Sequence, residues 1–287
     1  MSLRRNQILA PLLAFAVGIL NAAAGTLAQF RTPLGDIEVE LFDRDKPVTT
    51  ANFIRYVQVG FYRDGFIHRW EPHFVIQGGG FFLKNRFATN AFIAPVPNFA
   101  PITNEFPVGP KLSNGYGTIA MARAAGLTNS ATSQWFLNLT NNADLDNVDG
   151  GFTVFGKVIS GTNLLNRFNI TNPTNGIFRT DLSDPLHPNS ILDALNHLPV
   201  VPLASGSFDL IFVDVTLLQV SVSALVGGGR EISWNSARDL TNRVEYTTNF
   251  PPVWISLAIT NGTGERIRVS DLDSASAQRF YRVRVDY

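Results

Sequence analysis

Short runs of alternating apolar and polar residues, parted by glycine, proline or asparagine, recur through this 287-residue chain from Phe30 onward. A period of two puts every second side chain on one face of a strand, so such a chain must bury one face of many short strands. "GDIEVELF" (35–42) sets Ile37, Val39 and Leu41 against Glu38 and Glu40. "FIHRW" and "HFVIQGG" read as two strands joined by a turn at Glu71-Pro72, and "GTIAMAR", "SQWFLNL" and "FTVFGKVI" (152–159) continue the pattern. Helical spacing appears convincingly in two places. In "VTTANFIRYVQVGFY" (48–62) Phe53, Ile54, Val57 and Phe61 share a face, with Thr49 or Thr50 as N-cap after Pro47; "GTNLLNRFN" (161–169) is the second. Residues 84–111 read as one long loop. The balance predicts a mainly β fold closed into a barrel.

The later third is organised differently. Residues 171–207 are rich in Pro, Asn and Ser and read as an inserted segment holding a helical turn or two at "NSILDALNHL", capped by Asn189 or Ser190. "FDLIFVDVTLLQV" (208–220) is a β-prone run suited to closing the barrel. From 222 to 287 short strands at sandwich-like spacing, "REISWNS", "RVEYTTN", "VWISLAI", "ERIRVSDL" and "RFYRVRVDY", predict a small all-β domain of the fibronectin or immunoglobulin type. A unit that small is marginal alone, which predicts docking on the first domain or on a partner.

Lys+Arg and Asp+Glu both number 23. With no net field and no run of like charge, nucleic acid is not an expected partner. The absence of cysteine removes disulfides and thiolate catalysis. Arg4 and Arg5, an apolar run from Ile8 to Leu20 and the small residues Ala22 to Ala24 have the order of a secretory signal peptide. We therefore expect a signal segment over 1–28, cleaved after Ala24 or Ala28, and an exported protein, periplasmic or secreted, with no membrane association afterwards. The apolar run, broken by Pro11, is short for a membrane span.

"FIHRWEPHFVIQGGG" (66–80), "NEFPVG", "GYGTIAMARA", "TSQWFLNL" and "LDNVDGGFTVFGKVI", following "TPLGDIEVELFDRDKPVTTANFIRYVQVGFYRDG", resemble in order the blocks of the cyclophilin family of peptidyl-prolyl isomerases, over about 30–220. The resemblance implies an eight-stranded antiparallel barrel capped by two helices, with a substrate groove outside, in a domain spanning 29–221. It implies that Arg69 is the catalytic residue. It further implies a groove of Phe74, Val75, Gln77, Ala122, Arg123, Ala124, Gln134, Phe136, Leu145 and Phe152. Departures are Val75 where a methionine is frequent, Trp135 in place of a phenylalanine, Asp144 in place of a tryptophan, Phe152 in place of a histidine, and the added length of "NVD" (147–149). The implied substrates are Pro-containing segments of unfolded or exposed proteins, with no cofactor and no metal.

That chemistry matches what the residues offer. Rotation about an X–Pro bond faces a barrier of about 18–20 kcal/mol set by amide resonance, and no bond is made or broken. A nucleophile is useless; a guanidinium that hydrogen-bonds the prolyl nitrogen as it becomes pyramidal favours the twisted state alone. On this reading Gln77 orients Arg69 while Gln134 and the backbone at Arg123 hold the flanking peptide. No Walker loop, H-E-x-x-H helix or G-x-S-x-G elbow accompanies Gly78–Gly80 or His68 and His73. The rival expectation is a non-enzymatic Pro-peptide-binding or adhesion module, and a third is that the tail carries the main function by binding a glycan or a surface partner.

Overall fold

The computed structural model describes residues 26–171, 173–183, 191–203, 208–218, 220–236, 241–249, 251–263, 266–273 and 278–286. The expected signal segment up to residue 25 and the cap at Asn189 or Ser190 lie outside them. The first unit contains β1 (Leu27–Thr32), β2 (Gly35–Leu41), α1 (Pro47–Gln58), β3 (Arg69–Glu71), β4 (Val75–Gly78), β5 (Phe81–Lys84), β6 (Phe92–Pro95), β7 (Thr118–Met121), β8 (Trp135–Asn138), β9 (Val154–Ser160) and α2 (Thr162–Phe168). The inserted segment adds β10 (Phe178–Thr180) and β11 (Leu198–Pro202); β12 (Phe208–Leu210) and β13 (Asp214–Leu218) follow it.

Eight strands form one antiparallel sheet in the order β13-β1-β2-β9-β7-β8-β4-β3. Its two edges meet just outside the regular strands. Ile67 donates its N–H to Ile211 at 2.9 Å and Val213 donates to Gly65 at 2.8 Å, around an isolated bridge between Phe66 and Phe212. The sheet thus curls onto itself and covers its open edges. Phe30, Val39, Trp70, Ile76, Ile119, Trp135 and Leu137 fill the interior, with Phe53 and Tyr56 of α1 and Leu165 and Phe168 of α2 buried in the same core.

Local chemistry explains how α1 starts. Its first residue is Pro47, whose missing N–H is no loss there. Thr49 and Thr50 do not cap it; both lie buried within the helix. The carboxylate of Glu105 accepts from the N–H groups of Val48 (3.1 Å) and Thr49 (2.7 Å) instead. Buried Lys46 in turn donates to the carbonyls of Glu105 and Val108, so the loop before β7 caps the helix.

Several sequence expectations change. Residues 84–111 are not one loop, because β6 pairs with β5 as a hairpin. The run 208–220 is not one strand; it divides into β12, β13 and the start of β14 (Val220–Ala224). β12 pairs with β11 and β13 with β1. Phe66, Phe81, Leu195, Leu198, Val200 and Phe212 form a second core, which seats the inserted segment on the barrel. The boundary between 28 and 29 cuts β1, where Ala28 is fully buried, and the boundary at 222 cuts β14.

The tail continues with β15 (Arg230–Asn235), β16 (Thr241–Thr247), β17 (Ile255–Asn261), β18 (Arg266–Asp271) and β19 (Phe280–Asp286). They form two three-stranded sheets, β14-β15-β18 and β17-β16-β19, around Ile232, Trp234 and Val244. The Trp234 indole N–H, which needs a partner once buried, donates to Asn242 at 2.9 Å.

Candidate active site

Cross-strand register builds the site. Arg69 of β3 lies opposite Gln77 of β4, Gln77 opposite Phe136 of β8, Phe136 opposite Ala120 of β7, and Ala120 opposite Val154 of β9. The neighbouring row, Trp70, Ile76, Leu137 and Ile119, faces the barrel core. Successive residues of a strand point to opposite faces, so the row from Arg69 to Val154 lies on the outer face. There Val75, Ala120, Phe136 and Val154 make an apolar cluster separate from the core, flanked by half-buried Phe74, Ala122, Leu145 and Phe152. Phe136 and Phe152 meet edge to face with centroids 5.7 Å apart.

The turn between β3 and β4 brings Phe74 alongside Arg69. Phe74 donates its N–H to Glu71 at 3.0 Å and His73 takes a left-handed φ of 59°. The Arg69 guanidinium then sits 6.0 Å from the Phe74 ring centroid. The turn therefore runs from Glu71 to Phe74 rather than turning at Glu71-Pro72 alone.

Six of the predicted groove residues, Phe74, Val75, Ala122, Phe136, Leu145 and Phe152, come together in this one cluster. Gln77 and Gln134 are bonded to each other, Nε2 to Oε1 at 2.7 Å, and Ala122 donates its N–H to the Gln134 carbonyl at 2.9 Å. Gln77 is therefore bonded to Gln134 and not to Arg69, whose polar contact among the described residues is Glu71, at 3.4 Å. The expectation for Arg123 concerned its backbone; its side chain has a separate role. Its side chain is only 3% exposed, pairs with Asp149 at 3.7 Å, donates to the Val148 carbonyl at 2.7 Å and lies 4.2 Å from the Phe152 ring centroid. It fastens the "NVD" loop to the wall of the groove. Ala124 is exposed, and its N–H is taken by the Ser130 hydroxyl at 2.8 Å.

Sequence reasoning missed the support beneath the cluster. Asn142 donates through Nδ2 to the Phe74 carbonyl (2.9 Å) and to Asn138 (2.7 Å). Asn114 donates to the Phe152 carbonyl (3.1 Å) and to Asp146 (2.8 Å), and Asn138 donates to Thr118 (2.9 Å) and Asn114 (3.3 Å). Buried amides pair because unpaired ones are expensive. The network ties the turn at Phe74, the 3-10 turn Ala143–Asp146 that carries Leu145, and the strand entry at Phe152. Its sequence signal is slight: of the three asparagines, Asn138 alone sits in an apolar run, "WFLNL".

The glycines after Gln77 have a packing cause. A Cβ on Gly78 would lie 2.5 Å from the Trp135 ring, and one on Gly79, where φ is +76°, would lie 2.5 Å from the Ser133 carbonyl. They make room for a tryptophan and for a close-passing backbone.

His68, one residue before Arg69, is buried. Burial drives its imidazole from 6.5 down to about 3, the Gln134 hydrogen bond opposing and the Arg69 charge adding. Unfolded His68 takes a proton below its ordinary value, whereas folded His68 refuses one until about pH 3. This contribution to stability is complete above pH 6.5 and falls by up to roughly 1.4 kcal/mol per pH unit as pH drops through that window. Denaturant titrations of wild type and His68→Gln at pH 7 and pH 4.5 check this. The wild type should lose the larger share of its stability, and equal losses would count against it.

Comparisons with known proteins identify the family. The family described as cyclophilin type peptidyl-prolyl cis-trans isomerase/CLD matches residues 27–194. A peptidyl-prolyl cis-trans isomerase of Acinetobacter baylyi is 38% identical over 169 residues, 58% of this chain and 84% of that protein. Peptidyl-prolyl cis-trans isomerase A of Dickeya dadantii is 42% identical over 144 residues, covering 49% of this chain and 69% of that protein. A solved cyclophilin type isomerase of Cryptosporidium parvum, crystallised in the presence of the dipeptide Ala-Pro, aligns with a TM-score of 0.44 at 21% identity, over 67% of this chain and 99% of that one. The family match over more than half of the sequence shows that this chain belongs to the cyclophilin family of peptidyl-prolyl cis-trans isomerases. The enzymatic reading stands over the adhesion module, and the match ends before β12, β13 and the tail.

Proposed function

We propose that this isomerase works on Pro-containing segments of unfolded or surface-exposed proteins after export, and that Arg69 stabilises the twisted amide. The observation that carries the reading is the outer row running from Arg69 through Gln77 and Phe136 to Ala120 and Val154. It sets one cation at the edge of an outer-face apolar cluster, the surroundings a pyrrolidine ring would take. The ring packs among Phe74, Val75, Phe136, Leu145 and Phe152. One guanidinium N–H of Arg69 then reaches the prolyl nitrogen, whose lone pair becomes an acceptor only as the amide twists. The Gln77–Gln134 pair and the backbone at Ala122 border the path of the flanking peptide. No cofactor or metal enters this scheme, and nucleic acid plays no part in it.

Titrating the labelled full-length protein with an X–Pro peptide tests the assignment. Resonances of Phe74, Phe136, Leu145 and Phe152 should shift together; shifts confined to the tail would place the peptide site elsewhere.

Export rests on the composition of the first residues, and the fold favours one cleavage point. Ala28 is buried in β1 and pairs with Val39 and Leu217, so cutting after it would remove two paired residues from the barrel. Cutting after Ala24 leaves β1 whole. Mass spectrometry of the processed protein should find Gly25 at its N-terminus, and the protein in the periplasmic or secreted fraction. A mature chain starting at Gln29, or one retained in the cytoplasm, would overturn this.

A further inference from the structure

β3 is the end strand of the barrel in sheet order, and the inserted segment lies along its edge. Trp70 donates its N–H to the His197 carbonyl at 2.8 Å. Leu195 and Leu198, on either side, are fully buried in the second core with Phe66. This seating delivers two side chains, 108 and 126 residues away in sequence, to one carboxylate. Glu71 receives Arg179 at 3.4 Å on Oε2, and the His197 imidazole on Oε1, the same oxygen that faces Arg69 at 3.4 Å. The Glu71 side chain is only 21% exposed.

We propose that Glu71 is a positioning residue for Arg69, and that the inserted segment holds it in place through His197 and Arg179. The inference rests on the reading of Arg69 as the group that acts on the amide. A guanidinium on a long, rotatable stem is useful to a transition state only if its direction is set beforehand. Gln77 is engaged with Gln134, so Glu71 is the polar group that restrains Arg69. One long contact to one nitrogen leaves most of the five guanidinium donors free to face the groove. A carboxylate on a free side chain would restrain little. Glu71 is clamped by two donors on a separately cored segment, one on each carboxylate oxygen, so its position is inherited from the insertion. The insertion is thereby part of the catalytic apparatus, although it supplies no residue to the groove.

The test measures kcat for an X–Pro peptide, peptide Kd and thermal melting for wild type, Glu71→Gln, His197→Ala, Arg69→Ala and the double variant Arg69→Ala/Glu71→Gln. Glu71→Gln should lower kcat by roughly tenfold with Kd within about twofold of wild type. His197→Ala, which removes one of two clamps, should give a smaller loss of the same kind. Adding Glu71→Gln to Arg69→Ala should change nothing more, because the positioned group is gone. A folded Glu71→Gln with wild-type kcat, beside an inactive Arg69→Ala, overturns the inference and leaves the role of Arg69 intact. So does an equal loss in both backgrounds, since Glu71 would then act independently of Arg69. A fully active Arg69→Ala instead overturns the reading of the site beneath it.

Discussion

Arg69→Ala lowers kcat for an X–Pro peptide by about a hundredfold to a thousandfold, with peptide Kd changed by a few-fold at most. The magnitude is that of removing one preorganised donor aimed at a charge or lone pair that develops only in the transition state. Ground-state grip comes from elsewhere: Phe74, Val75, Phe136, Leu145 and Phe152 form the apolar cluster, and Arg69 stands beside it, one register position beyond Gln77. The planar amide nitrogen of bound peptide accepts no hydrogen bond, so the guanidinium contributes little until the bond twists. The loss therefore falls on kcat. Arg69→Lys keeps the charge but gives up the fixed fork of donors, and should recover only part of the rate. Stopped-flow or exchange measurements with a peptide whose cis and trans forms are resolved read all three proteins.

Trp135→Ala is the substitution with the largest expected effect on stability, destabilising the barrel by about 3–5 kcal/mol. Trp135 is among the largest fully buried side chains, meets Phe30 edge to face at 4.9 Å, and fills the space that Gly78 and Gly79 leave open. Those glycines have no side chains that could move into the hole, so the cavity stays. The indole N–H of Trp135 finds no hydrogen-bond partner among the described residues. Trp135→Phe therefore removes an unpaired donor along with some volume, and should cost distinctly less than the alanine variant. Urea unfolding of the two variants separates these terms. Equal losses would mean that the tryptophan is held by something other than ring packing.

Much of this architecture was legible because period-two alternation records which face of a strand is buried. "FIHRWEPHFVIQGGG" states it directly: Trp70 and Ile76 point inward, Arg69, Val75 and Gln77 outward. The register that lines Arg69 up with Phe136 and Ala120 follows once the strands pair. Features made by distant residues were not legible. The Glu105 carboxylate that caps α1 lies in a loop more than fifty positions away. The β5–β6 hairpin hid in a segment whose prolines and asparagines looked like loop. Barrel closure through Gly65–Ile67 and Ile211–Val213 uses backbone groups, which leave no side-chain pattern. Motif position speaks only to the backbone at Arg123, and the side chain's hold on this chain's own loop, at Val148 and Asp149, leaves no local pattern. Nothing local in "RWE" announces that Glu71 will meet Arg179 and His197.

The central claim is that Arg69 acts on the twisted amide and not on the bound peptide. The most direct measurement is the cis–trans exchange rate of an enzyme-bound X–Pro peptide, with its Kd determined in the same sample, for wild type and Arg69→Ala. The account predicts that exchange on the enzyme collapses towards the uncatalysed rate while Kd holds. Exchange that persists in Arg69→Ala, or that falls only in proportion to lost binding, would contradict it.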